Sequence, residues 1–435
     1  MSQAPRKSIP VHHVVAVVMG NGLEFYDFLC YAIFAVYISK AYFPAADHTV
    51  SLLLALAAFG LGFVTRPVGA IVLGGMGDRI GRKPAMLLSF AFMGIGLLGM
   101  ALTPTYAQIG LAAPIAVLCF RLLQGFALGG EVGPTTAYLI EAAPPERRGF
   151  YGAMQYFSQS TSVLVASLVG LALSHTLSAQ ALEQWGWRLA FLFGVVIVPF
   201  GILIRKSLPE TLHAADDAAL APDATTGTLS FAQKIKPYTL IVICGLVLLT
   251  AGTIGTYVTN YMTTFSLVTL RLPATVAFGV TVVTSLCQMA SVPTAGYASD
   301  RLGRRAVMVF PAIVALVMIL PVFWLITHYP SALTLYLAMG ALSIPFAITA
   351  VPVIVTLTES LPAAIRSGTV ATVYAFAISI FGGSTQFVIT WLIKTTSDPM
   401  APAYYWTGAM LIGVAAMLLL PESAPVKMKK ASPAA

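Results

Sequence analysis

Apolar stretches of about 20 residues, long enough to cross a bilayer, recur along almost the whole chain, broken by short charged or Pro/Gly-rich segments. Few folds tolerate that pattern. Only 9% of the 435 residues are charged and 58% are hydrophobic, against roughly 25% charged in an average soluble domain. A single soluble core of this size would have almost nothing polar to coat it. The expectation is an all-α polytopic membrane protein.

Reading the apolar runs against their breaks places twelve helices at about 14–40, 51–77, 84–103, 111–142, 148–178, 186–207, 236–266, 272–300, 305–327, 331–361, 365–395 and 399–421. One polar interval, 208–235, follows the sixth helix and divides the chain. It separates an N-terminal six-helix bundle, 1–207, from a C-terminal one, 236–435, that ends in a basic tail. Lys and Arg accumulate on the cytoplasmic side of a membrane protein. With the N-terminus inside, 18 of the 24 basic residues fall in inner segments; Lys40, Arg188, Arg271 and Lys394 fall outside, and Arg66 and Arg121 within spans. Both termini are therefore expected in the cytoplasm, and the formal charge of +8 is topogenic, with no nucleic-acid partner required.

Arg6 and Lys7 precede a long span with no small-residue cleavage pattern, so no cleavable signal peptide is expected. The four cysteines, Cys30, Cys119, Cys244 and Cys287, lie in apolar runs and form no CxxC pair, which gives no support to a metal site or disulfide. No phosphate-binding loop or catalytic nucleophile constellation is present, and neither an enzyme nor a cofactor is expected. The histidines lie at span ends or in loops, which disfavours a histidine proton relay.

The chain repeats itself. "GGMGDRIGRKPAM" (74–86) returns as "GYASDRLGRRAVM" (296–308), pairing Asp78 with Asp300, Arg79 with Arg301 and Arg82 with Arg304 at an offset of 222. A second echo sets "IEAAPPERRG" (140–149) against "TESLPAAIRSG" (358–368), pairing Glu141 with Glu359 and Arg148 with Arg366 at an offset of 218. Two motifs at nearly one offset indicate a duplicated six-helix unit. Duplicated bundles can rock about a midplane site, and such a machine needs breakable contacts at its inner end. Asp78 and Asp300, near helix ends with basic residues just after them, are expected to pair with the opposite half. The other eight charges form the rest of that gate, or else anchor loops and set topology.

"GDRIGRK" and "SDRLGRR" resemble the signature loops of the major facilitator superfamily, over the whole chain. "GNGLEFYDF" (20–28), "RPVGAIVLGGMGDRIGRK" (66–83), "RLLQGFALGGEVGPTTAYLIEAAPPERRG" (121–149) and "YYW" (404–406) resemble the metabolite:proton symporter family within it. "FGGSTQFVITWLIKTTSDPMAPAYYW" (381–406) is most similar to its citrate and dicarboxylate branch. The resemblance implies proton-coupled uptake of citrate, another carboxylate, or betaine or proline, in a bacterial inner membrane.

Ionisable residues at midplane depth are functional candidates. Counting from each span's entrance, Glu24 lies 10 residues in, Asp27 13, Arg66 15 and Arg121 10, roughly one level at about 1.5 Å per residue. Glu131 is 20 residues in, nearer the inner side, where a structural polar network competes with a functional role. Glu24, Asp27 and Glu131 are the candidates for proton coupling. Asn21, Glu24, Asp27 and Tyr31 share one stripe of the first helix, and Arg121, Gln124 and Glu131 one stripe of the fourth. Gln155 and Gln159 lie on the polar face of the fifth.

The second half holds no Lys, Arg, Asp or Glu at midplane; its polar residues include Tyr257, Asn260, Tyr261 and Gln386. Arg66, Arg121, Asn21, Tyr31, Gln124, Gln155, Gln159, Tyr257, Asn260, Tyr261 and Gln386 are the expected substrate contacts, although aromatic stripes also serve packing. The leading expectation is a monomeric proton-driven importer of a small organic acid. A zwitterion importer is the alternative; drug efflux and a non-transporting receptor fit the motifs less well.

Overall fold

In a computed structural model, residues 11–80, 82–129, 139, 143–207 and 236–427 are described. The intervals 130–138 and 208–235, which include Glu131 and the expected linker, lie outside them, as does Glu141. The described chain is helical, as a bilayer demands of any segment that must pair its own backbone polar groups.

The first half comprises α1 (Val11–Ile33), α2 (Ala35–Tyr42), α3 (His48–Leu61), α4 (Arg66–Ile80), α5 (Arg82–Leu102), α6 (Ala112–Gly129), α7 (Arg148–Thr176) and α8 (Arg188–Ser207). The second comprises α9 (Thr239–Asn260), α10 (Met262–Val268), α11 (Ala274–Leu302), α12 (Arg304–His328), α13 (Ala332–Glu359), α14 (Ala363–Ala377), α15 (Gly383–Thr396) and α16 (Ala401–Leu419).

These helices make twelve spans, because four spans are each built from two helices. Span one is α1 and α2, bent by 64°. Span two is α3 and α4, span seven α9 and α10, and span eleven α14 and α15 joined by a wide π turn at Ile378–Gly382. Among the described residues nine spans are long and apolar enough by themselves, and the bent first span is a tenth. α5 and α8 supply spans three and six. Within the described residues the expected boundaries agree closely, but the seventh span is broken at Tyr261, which places Tyr257 and Thr264 on separate helices.

Packing repeats with the sequence. In the first half α1 lies on α7, α4 on α6 and α5 on α8; in the second α9 lies on α14, α11 on α13 and α12 on α16. The halves meet along two seams, α7 against α11 and α3 against α15, which the same pseudo-two-fold relation exchanges. Each apolar core borrows from the other half: Ala35, Leu52 and Leu56 join the second core, and Tyr257 and Phe278 join the first.

Spans two and four approach more closely than side chains allow. A Cβ on Gly125 would stand 1.6 Å from the Gly62 carbonyl oxygen, so only glycine fits. This contact sets Arg66 and Arg121 at one level. Gly125→Ala is expected to destabilise the detergent-purified protein by more than about 2 kcal/mol, because backbone must move. Gly252→Ala, with nothing within 4 Å of its Cβ, should be neutral or stabilising by about 1 kcal/mol. Paired thermal unfolding curves check both; equal melting points would refute the close-packing account.

Candidate functional site

Asp27 and Arg121 come to one level, joined by a third residue. Arg121 Nη1 donates to Gln124 Oε1 at 2.8 Å, and Gln124 Nε2 donates to Asp27 Oδ1 at 2.8 Å. Guanidinium cannot accept a hydrogen bond, so the Gln124 oxygen must face Arg121 and its NH2 must face Asp27. The carboxylate oxygen Oδ1 is thereby held as an acceptor. All three side chains are buried, Arg121 completely.

Aromatic rings line the same level. Arg121 lies 4.6 Å from the Phe28 ring centre, 4.5 Å from Tyr31 and 5.1 Å from Phe59. Arg66 lies 4.4 Å from Phe28 and 4.1 Å from Phe63. Each desolvated cation–π contact contributes up to about 2 kcal/mol, which offsets part of the burial cost. The rings satisfy charge without satisfying N–H groups. Nε and Nη2 of both arginines are buried with no hydrogen-bond partner among the described residues.

The second half closes over this level with neutral groups. Tyr257 meets Phe59 and Phe63 edge-on at 6.0 and 5.9 Å. Tyr257 and Tyr374 are electrostatic neighbours of Arg66. Gln159 of α7 lies beside Tyr374 across the halves. Tyr374 and the three phenylalanines were absent from the expected contacts: the rings read as packing, and stacking on a cation leaves no mark in a single sequence.

The other expected residues lie nearby but elsewhere. Asn21 Nδ2 donates to Ser158 Oγ at 2.6 Å and Asn21 Oδ1 accepts from Gln155 at 3.2 Å, tying α1 to α7. The Tyr31 hydroxyl is committed to the Ala55 carbonyl at 3.0 Å. Tyr261 accepts from Thr390 at 2.8 Å, one turn past Gln386. Gln386 is fully buried with neither amide atom partnered among the described residues, and Asn260 Nδ2 is likewise unpartnered. Nothing is described of the Glu24 side chain.

At the end carrying the termini, Asp300 reaches the other half, though not by the expected ion pair. Its carboxylate accepts from the backbone N–H groups of Gly149 at 2.8 Å and Phe150 at 2.9 Å, in the first turn of α7. A helix N-terminus is a ready anion site. Arg304 binds Asp300 at 2.7 Å and forks onto Glu359 at 3.1 and 3.2 Å, all within its own half. Arg301 stacks on its own helix's Tyr297 at 4.3 Å, and Arg148 begins α7. The side chains of Asp78, Arg79, Arg82 and Arg366 lie outside the described set.

Between this level and the far end, α3 and α15 meet where the Gly60 and Gly383 backbones touch, a Cβ on Gly60 falling 2.6 Å from the Gly383 oxygen; the far end itself is closed by charge. Lys394 pairs with Asp47 across the halves at 2.6 Å. This latch was missed because its partners stand 347 residues apart.

Residues 19–386 match the family model described as Major Facilitator Superfamily. A citrate-proton symporter of Salmonella typhi is 37% identical over 407 residues, 94% of this chain and 93% of that one. A putative proline/betaine transporter of Staphylococcus aureus (strain MSSA476) is 32% identical over 429 residues, 96% and 90% of the two chains. Among solved structures, the xylose transporter of E. coli in a partially occluded inward open conformation superposes with a TM-score of 0.75, covering 95% of this chain and 98% of that one at 18% identity. That superposition bears on the fold alone. Twelve spans in two pseudo-symmetric halves, paired signature loops and the family match agree: this chain belongs to the major facilitator superfamily, on the branch that holds the citrate-proton symporters.

Proposed function

We propose that the protein is a proton-coupled importer of a small organic acid, a di- or tricarboxylate such as citrate, working by alternating access. One observation carries this reading: Arg66 and Arg121 bury four guanidinium nitrogens without partners among the described residues. At membrane depth that arrangement is costly, and a carboxylate is its complement because it binds a guanidinium fork bidentately. The relative named for citrate supports the same assignment. A betaine would seek an open aromatic face for its quaternary ammonium, yet Phe28 and Phe63 already carry guanidinium groups.

Coupling follows from the shared charge. Asp27 and a substrate carboxylate draw on the same Arg121 cation, one through Gln124 and one directly. Loading the anion withdraws compensation from Asp27 and favours its protonation, so proton and acid travel together. Glu24 and Glu131 remain the other candidate carriers. Tyr257, Tyr374, Asn260 and Gln386 offer neutral hydrogen-bonding groups from the second half, while Asn21, Gln155 and Tyr31 position the charged level from behind.

The distribution of basic residues supports placing the end with the termini in the cytoplasm of a bacterial inner membrane. Residues 1–207 and 236–435 then form the two rocking bodies, with 208–235 as their linker. One chain supplies the whole site and both gates, which supports a monomer. Asp300 on the α7 N-terminus serves the inner gate, with the repeat charges Asp78, Arg79, Arg82, Glu141, Arg148, Arg301, Arg304, Glu359 and Arg366. Lys394–Asp47 serves the outer one.

Uptake of labelled citrate, malate and betaine by proteoliposomes tests the substrate class. Arg121→Lys is expected to lower citrate uptake at least about tenfold, because an ammonium lacks the planar fork; near-normal citrate affinity would remove Arg121 from the site. Asp27→Asn should abolish accumulation against a gradient while substrate exchange between equal pools survives. A mutant that still concentrates citrate under an imposed pH gradient shifts the carrier role to Glu24 or Glu131.

The outer latch makes a pH prediction of its own. The Lys394 hydrogen bond, with the Thr49 amide, holds the Asp47 carboxyl down at about 2. A depressed carboxyl contributes above its unfolded value of about 3.9 and is lost only as pH falls through about 2. Lys394→Gln should therefore change the transport rate by one constant factor between about pH 5 and 8. A factor that varies with pH would make the latch part of proton sensing.

A further inference from the structure

The end carrying the C-terminal tail holds a cavity of about 750 Å³ that substrate transport does not use. Arg305, Glu422 and Lys427 line it together with Val309, Phe310 and Ile313 of α12. Arg305 is the second residue of α12. Phe310 and Ile313 follow five and eight residues later, roughly 7 to 12 Å deeper along the helix. Both are exposed, Phe310 at 72%, on a surface that meets lipid in a membrane. The cavity thus has a polar mouth at the helix end and an apolar wall running inward.

Its charge is positive in effect. The Glu422 carboxylate accepts from the backbone N–H groups of Arg304 at 2.8 Å, Arg305 at 3.2 Å and Ala424 at 2.9 Å. That anion is spent on the N-terminus of α12, where the helix dipole compensates it. Arg305 Nη2 donates to the Leu418 carbonyl at 2.8 Å, which fixes the guanidinium against the last turn of α16. Five N–H groups belong to a guanidinium, so one such bond leaves most of its donor capacity. Lys427 is exposed, with no salt-bridge partner among the described residues.

We propose that this cavity binds an anionic phospholipid of the inner leaflet, its phosphate between Arg305 and Lys427 and its acyl chains along Val309, Phe310 and Ile313. The leaflet rests on the cytoplasmic placement of the termini; the headgroup and chain chemistry do not. A soluble anion would use the cations and leave the apolar wall without a function. A zwitterionic lipid would fill the wall but gain little from two cations. Basic pockets beside membrane helices on the cytoplasmic side suit anionic headgroups, and the volume lies within the range of about 300–1,000 Å³ typical of small-ligand sites.

Native mass spectrometry of the full chain in detergent, without substrate, tests this directly. Phosphatidylglycerol and phosphatidylcholine with identical chains would be titrated in turn. The expected preference for phosphatidylglycerol is about 30-fold, about fivefold for each basic residue. Arg305→Gln/Lys427→Gln should erase it, and Lys427→Gln alone should reduce it about fivefold. The single variant keeps the test open should loss of the Leu418 contact unfold the double one. Lys40→Gln, the same charge loss at the far end, should leave the preference intact. Equal retention of the two lipids by the unsubstituted protein, or an undiminished preference in Lys427→Gln, would overturn the proposal. So would inorganic phosphate displacing phosphatidylglycerol at matched concentration, which would mark a free-anion site.

Discussion

A charged side chain at the bilayer centre costs about 2.5–3.5 kcal/mol by insertion scales, and more where nothing compensates it. Arg66 and Arg121 both stand at that depth, fully or almost fully buried, and much of the first half is organised around meeting that cost. The glycine contact between spans two and four brings both guanidinium groups to one level. Phe28 then serves both at once, with Phe63 taking Arg66 and Tyr31 and Phe59 taking Arg121. Gln124 carries charge compensation to Asp27 without letting the two ions meet. A direct ion pair would neutralise both groups and leave neither free for exchange. An amide between them keeps the carboxylate acceptor and the guanidinium coupled, yet leaves two guanidinium nitrogens to bind something else.

Depth was legible in the sequence because a helix converts residue number into distance at about 1.5 Å per step. Asp27 and Arg121, 13 and 10 residues into oppositely directed spans, had to meet near one level, and they do. The duplication was equally plain, since Asp78 and Asp300 recur in the same D-R-x-G-R frame. Function assigned to individual polar residues was harder to read. Asn21 and Tyr31 lie on the polar stripe of the first span and Gln155 on that of the fifth, yet Asn21 binds Ser158 and Gln155, and Tyr31 the Ala55 carbonyl. Helical phase shows which way a side chain points and says nothing of what has already claimed it.

Two contacts between the halves were hidden for different reasons. Asp300 binds the first amides of α7, and a helix N-terminus corresponds to no residue type that a motif could display. Lys394 and Asp47 are visible as charges, but the pairing of loops so far apart depends on how the two halves dock. The break at Tyr261 carries neither proline nor glycine, so nothing local announces it. A break at the equivalent place in span one, after Ile33, implies that the shared fold imposes both.

The two ends are closed by chemistry of different strength, and that difference bears on how the cycle is driven. The far-end pair is exposed, and solvent screening leaves such a pair little to contribute. The buried carboxylate of Asp300 takes two backbone N–H groups, and hydrogen bonds to a charged acceptor contribute about 1.5–3 kcal/mol each. Opening the end that holds Asp300 therefore costs more than opening the far end by these contacts alone. A ligand shifts such an equilibrium only by its differential affinity for the two states. The charged level lies wholly in the first half, while Tyr257 and Tyr374 approach it from the second. In the function proposed for that level, substrate and proton together neutralise it, so the second half can close on it without facing uncompensated charge. In the proposed cycle the empty level, with Asp27 compensating Arg121 through Gln124, must close as well; acid or proton alone leaves charge uncompensated there, and that penalty couples the two.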